Sequence, residues 1–172
     1  MWLGKITKLA VLVLALVVFP LPVLAVSELS SPLPVVADKV LVLKSERKLL
    51  LMKGDEVLKT YIVSLGGSPV GRKIKQGDSK TPEGTYALDR HSAHSQYHKS
   101  IHISYPNIED VARAKRLGVS PGGDVFLHGL PNGFRGRSGR GDWTAGCIAV
   151  TNEEIDEIWQ AVADGTPIEI KP

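Results

Sequence analysis

Val40-Leu41-Val42-Leu43, Leu49-Leu50-Leu51-Met52 and Val57–Leu65 are short apolar runs, broken by turn residues at Ser45–Arg47 and Lys53-Gly54-Asp55. Runs of this length, punctuated by Gly and Asp, read as antiparallel hairpins. Toward the C-terminus, Thr85–Leu88, Ile101–Ser104, Val125–Leu127 and Ile168–Ile170 read as further strands. Residues 66–84 hold five glycines with Pro69 and Pro82 and read as loop. Asn107 followed by Glu109 and Asp110 predicts a helix start, with Val111, Ala114 and Leu117 as its apolar stripe and Gly118 as its stop. A second helix is expected to open at Asn152 with Glu153 and Glu154, to bury Ile155, Ile158, Trp159 and Val162, and to be capped by Gly165. Many strands and two short helices predict a mainly β or α+β domain.

The chain has 172 residues, 43% hydrophobic and 23% charged, with a mean hydropathy of +0.02. That composition excludes a collagen-like fibre, a disordered chain and a multi-span membrane protein. One cysteine excludes a disulfide scaffold and any zinc cage built from cysteines. Lys5 and Lys8 precede an apolar run from Leu9 to Phe19, and Pro20-Leu21-Pro22-Val23-Leu24-Ala25 follows. This is the layout of a secretory signal over residues 1–25, with Val23-Leu24-Ala25 as the cleavage site. The alternative is an uncleaved anchor, but Pro20 and Pro22 interrupt a span that needs about 20 apolar residues. Residues 26–37 then read as a flexible lead-in and 38–172 as one exported domain, in the periplasm or wall. Removing residues 1–25 leaves 147 residues and lowers the formal charge from +3 to +1. Nucleic-acid binding thereby loses its compositional support, and the mature form has no membrane segment.

Cys147 is the sharpest chemical feature. A free cysteine is most often a small buried apolar residue. Here, however, Gly146 removes bulk beside the sulfur, Trp143 and Thr144 lie just upstream, and His128-Gly129 ends an apolar strand. A thiol of pKa about 8.5 is only a few per cent thiolate at neutral pH. An imidazole can take its proton and later return it to a leaving amine. On residue types alone the pairing of His128 with Cys147 stays open, because spatial adjacency is not visible in sequence.

The spacing His128-Gly129, fourteen residues, then Thr144-Ala145-Gly146-Cys147-Ile148 resembles the signature of the YkuD-type L,D-transpeptidases. Upstream, Lys80-Thr81-Pro82-Glu83-Gly84-Thr85-Tyr86 is similar to that family's Thr-Pro-x-Gly segment, and the likeness covers roughly residues 38–170. It implies a β-sandwich-like domain with two short helices. It also implies Cys147 as nucleophile, His128 as general base, the Gly129 carbonyl as the group orienting the imidazole, and backbone amides around Ala145, Gly146 and Cys147 as the oxyanion hole. The family acts on peptidoglycan stem peptides, forming L,D links through a cysteine acyl-enzyme without a cofactor, and is typically acylated by carbapenems. Some relatives hydrolyse instead, so an amidase or L,D-carboxypeptidase using the same thiol is the alternative. A wall-binding module with a degenerate site is a third reading. The family's usual His before Gly-Cys is Ala145 here, which removes one side-chain donor.

Arg135, Arg137 and Arg140, in the Gly/Arg-rich stretch 131–142, are candidates for binding a substrate carboxylate bidentately. Trp143 and Thr144 join them as expected substrate contacts. His91, His94, His98 and His102 invite a metal reading, but their neighbours read as loop running into strand rather than as one ligand face, so no metal is expected. Neither the oligomeric state nor the acceptor of the acyl group is legible at this level.

Overall fold

A computed structural model describes residues 36–134 and 141–172. The strands are β1 (Lys39–Leu43), β2 (Lys48–Lys53), β3 (Glu56–Ile62), β4 (Gly84–Ser92), β5 (Ser100–Ile103), β6 (Val125–His128), β7 (Ile148–Ala149) and β8 (Thr166–Lys171). The helices are α1 (Ile108–Arg116) and α2 (Asn152–Ala161). Among the described residues the strands form one sheet in the order β3-β2-β1-β8-β4-β5-β6-β7. Most neighbours are antiparallel; β1/β8 and β6/β7 run parallel. Beyond β3 the chain crosses to the far edge, where Ser64 bridges Ala149 and Gly66 bridges Thr144. The sheet therefore curls until its two edges meet.

Alternation decides which face is inside. Val40 and Val42, Leu49 and Leu51, Leu88, Ile101 and Ile103, Leu127, Ile168 and Ile170 are buried. Ile155 and Ile158 of α2 close over them, and Trp159 packs partly buried at the margin. The expected strands are present, with shifted ends. The third stops at Ile62 rather than Leu65, and Val57 and Ile62 are largely exposed because β3 has no partner on its outer side.

Two local expectations are corrected, and the start of the second helix is refined. The apolar stripe of α1 is not a core face: Val111 and Leu117 are exposed and only Ala114 of the three is buried. Asp110 holds this helix instead, accepting the Tyr86 hydroxyl at 2.8 Å and the Arg113 guanidinium at 2.9 Å. The second helix opens at Asn152 as expected, and Thr151 just before it is the N-cap. Thr151 Oγ1 accepts the Glu154 amide, and the Glu154 carboxylate accepts the Thr151 amide, a reciprocal capping box. Gly165 is not the C-cap, since Val162 takes that position; Gly165 serves the turn into β8 and donates its amide to Leu88.

Candidate active site

His128 is the last residue of β6 and is fully buried. Its Nδ1 lies 2.6 Å from the Gly129 carbonyl oxygen. A carbonyl can only accept, so Nδ1 carries the proton and Nε2 is the basic nitrogen. Nε2 is buried and has no hydrogen-bond partner, an unusual state for a buried polar atom that points to a partner arriving during function. Tyr97 stacks on the imidazole at 3.8 Å between ring centroids, and Trp143 stands edge-on to it at 5.9 Å. Burial pushes the His128 pKa below its ordinary value, and the hydrogen bond with Gly129 only partly offsets this.

The parallel pairing of β6 with β7 sets Cys147 on the same face of the sheet as this imidazole. Leu127 is opposite Ile148 and His128 opposite Ala149. Directly paired residues share a face, and neighbouring strands lie about 4.8 Å apart. Cys147, one residue before β7, thus falls beside Phe126 on the face carrying His128. The thiol is half-buried, and Sγ donates over a long 3.8 Å to the Asp124 carbonyl. Burial pushes its pKa up; the Phe126 backbone and the positive charge of Lys73 pull it down, and Asp124 opposes them. Thiol and imidazole are thus both biased toward their neutral forms at rest.

The turn before Cys147 is fixed from within. Thr144 is buried; its hydroxyl donates to the Cys147 carbonyl at 2.7 Å and accepts the Gly146 amide at 3.1 Å. The hydroxyl is therefore committed to the turn and not offered to a substrate. The Gly146 amide is likewise spent within the turn. Gly146 has φ +135°, and a Cβ there would lie 2.7 Å from the Lys80 carbonyl oxygen, so only glycine fits. Gly129 is held in a similar squeeze: a Cβ would meet Asn152 Oδ1 at 2.9 Å. That oxygen accepts the Leu130 amide at 2.9 Å, tying the start of α2 to the His-Gly turn. Asp142, at the root of the 131–142 stretch, takes a bidentate Arg47 and the Leu65 amide.

Two hollows are lined in part by residues that contact the His128 ring, Tyr97 in one and Trp143 in the other. One, of about 430 Å³, is lined by Arg90, Gln96, Tyr97, Ser100 and Phe126; the other, of about 260 Å³, by Leu130, Trp143, Ala149 and Val150. Trp143 is partly exposed at the rim of the second, as a substrate contact would require. Arg135, Arg137 and Arg140 lie outside the described residues. Arg90, Tyr97 and Lys73 were not anticipated from sequence. Of the histidines, His91 pairs with Asp164, His98 with Asp156 and His102 with Asp89, at separate places. Among the described residues no three His, Cys, Asp or Glu side chains converge on a metal position.

The model of the YkuD family, described as an L,D-transpeptidase catalytic domain, matches residues 37–170. The chain belongs to this family. It is 34% identical over 128 residues to YafK of Escherichia coli K12, which carries a provisional L,D-transpeptidase name; the match takes in 70% of this chain and 45% of YafK. The chain thus spans about half the length of the curated relatives it matches. Among solved structures it resembles Pgp2, a helical cell shape determining protein of Campylobacter jejuni, with a TM-score of 0.60 and 26% identity over 77% of this chain and 46% of Pgp2. The L,D-transpeptidase LdtMt1, solved with imipenem, shares the fold at a TM-score of 0.50 and 18% identity, over 77% of this chain and 58% of that one.

Proposed function

We propose that this YkuD domain is an exported peptidyltransferase that forms L,D links in peptidoglycan through a Cys147 acyl-enzyme. The observation that carries the reading is the buried, unpartnered Nε2 of His128 on the strand beside Cys147, with Nδ1 held by Gly129. As a substrate carbonyl approaches, Sγ passes its proton to Nε2 and bonds to the carbonyl carbon. The oxygen gathers negative charge against the Ala145 and Cys147 amides. Collapse of this intermediate breaks the amide bond, and Nε2 returns the proton to the departing amine. A second amine then attacks the thioester, giving up its proton to Nε2, and releases the thiolate. The hollow that Tyr97 lines and the one that Trp143 lines would take the donor peptide and the acceptor in this two-substrate order. The arginines at 135, 137 and 140 are proposed to hold a stem-peptide carboxylate, and Trp143 to bound the acceptor side. The basic, then apolar, N-terminal stretch supports delivery to the periplasm or wall.

Incubating the protein with purified muropeptides and reading product masses tests this. A cross-linked dimer with loss of the terminal residue is expected, and Cys147→Ala is expected to yield none. Gain of water with no dimer would replace transfer by hydrolysis, as an L,D-carboxypeptidase or amidase. Carbapenem acylation of the wild type, absent in Cys147→Ala, is expected from the shared fold of the imipenem-bound relative.

A further inference from the structure

The irregular stretch between β3 and β4 carries Lys73, whose charge already reaches the Cys147 thiol. Lys73 is buried, with a side chain only 4% exposed. It donates to Asp78 Oδ1 at 2.8 Å and to the Lys75 carbonyl at 3.2 Å, so two of its three N–H protons have acceptors. Asp78 is held in turn by the amides of Ile74, Lys75 and Lys80. Those amides and the ammonium outweigh its burial and hold its carboxyl down at about 2. The cation is thus anchored by a carboxylate whose own charge is already shared among three amides.

Its location is what gives it meaning. Lys73 Nζ lies 3.8 Å from the point where a side chain on Gly146 would begin. It is therefore under the peptide that leads into Cys147, while the nearby Ala145 supplies no polar side chain. A buried ion pair is a poor source of stability, because desolvation offsets most of its attraction. At this position its field acts on the one site in the molecule where negative charge must form. Among the described residues, the other titratable groups near Cys147 are Asp124 before β6 and Tyr97 from the segment between β4 and β5, with His128 on the same face of the neighbouring strand β6. Of these, Asp124 repels an anion, and His128 and Tyr97 are neutral at rest.

We propose that Lys73, clamped by Asp78 beneath Gly146, is a positioning residue that supplies fixed positive charge to the Cys147 thiolate and to the oxyanion formed next to it. This rests on the reading of Cys147 as the acylated residue. A merely structural Lys73–Asp78 pair would stiffen the 66–84 stretch and leave the thiol's proton affinity alone.

The readout is the pH dependence of iodoacetamide alkylation, which reports Cys147 because the chain has no other cysteine. Lys73→Gln is expected to raise the alkylation midpoint by about one pH unit, a tenfold loss of thiolate at neutral pH. Lys73→Arg is expected to return the midpoint most of the way. Asp78→Asn removes the countercharge and is expected to lower it, although both Lys73→Gln and Asp78→Asn reduce thermal stability. An unchanged midpoint in folded Lys73→Gln overturns the proposal. If that variant does not fold, Asp78→Asn decides: a downward shift supports the proposal, and an unchanged or raised midpoint overturns it. Failure of the acyl-enzyme reading shows separately, as muropeptide turnover retained by Cys147→Ala.

Discussion

Asn152 Oδ1 accepts the backbone amide of Leu130 at 2.9 Å, joining the first turn of α2 to the turn that orients His128. Because Thr151 already caps the helix, the Asn152 side chain is free to reach across. The imidazole is thereby positioned by a helix far along the chain, through Leu130, Gly129 and the Gly129 carbonyl.

Replacing Asn152 by Ala should strand the Leu130 amide, lowering stability by about 1–2 kcal/mol. The larger effect is expected on catalysis: carbapenem acylation should slow about tenfold or more, as expected when a base is displaced by a fraction of an ångström. Stopped-flow acylation alongside thermal unfolding measures both. Normal acylation by a destabilised variant would show that the brace is only structural.

Gly146→Ala should cost roughly 2–4 kcal/mol, combining left-handed strain with a close approach to backbone. The colliding atom is the Lys80 carbonyl oxygen, which cannot rotate away as a side chain could. Chemical denaturation of the variant checks this. A near-wild-type midpoint would mean the 78–81 segment yields easily.

The His128 pKa is lowered on folding, so the folded state binds fewer protons than the unfolded chain. Its contribution to stability is therefore complete above the ordinary imidazole pKa and is lost as pH falls through the depressed folded value. The base form also persists to lower pH, so the acid limb of acylation should fall below the usual imidazole midpoint. Unfolding free energy and acylation rate should both be followed from pH 8 downward, with His128→Gln as control. A limb at or above the ordinary value would contradict the burial argument.

Asp142→Ala should release Arg47 and leave the Leu65 amide unpaired, at about 1–2 kcal/mol. Since Trp143 follows directly, substrate KM should rise more than kcat falls. Steady-state muropeptide kinetics separate the two. A fall in kcat alone would place the effect at the Thr144–Cys147 turn.

The sheet was legible because alternation survives in Val40/Val42, Leu49/Leu51 and Ile168/Ile170, where one face is buried and the other wet. Strand order was not, since nothing local in Val40–Leu43 reports that Ile168–Ile170 will lie beside it. The α1 stripe misled because a short helix at the sheet margin can be held by Asp110 alone. Thr151 and Glu154 carry a readable capping-box spacing, and recognising it would have freed Asn152 for its brace. His128 and Cys147 stood out by chemistry and spacing. Lys73, Arg90 and Tyr97 did not, because irregular backbone carries no periodicity from which to infer which side chains converge.

The parallel contact of β1 with β8 has a consequence for when this sheet can close. The first and last strands are adjacent at the centre of the sheet, and β4 leans on β8 from the other side. A chain still emerging, with Thr166–Lys171 not yet delivered, has a gap through its middle. Neither half can curl to bring Ser64 to Ala149. Closure of the two sheet edges, and with it the Thr144–Cys147 turn, therefore waits on the last strand of the domain.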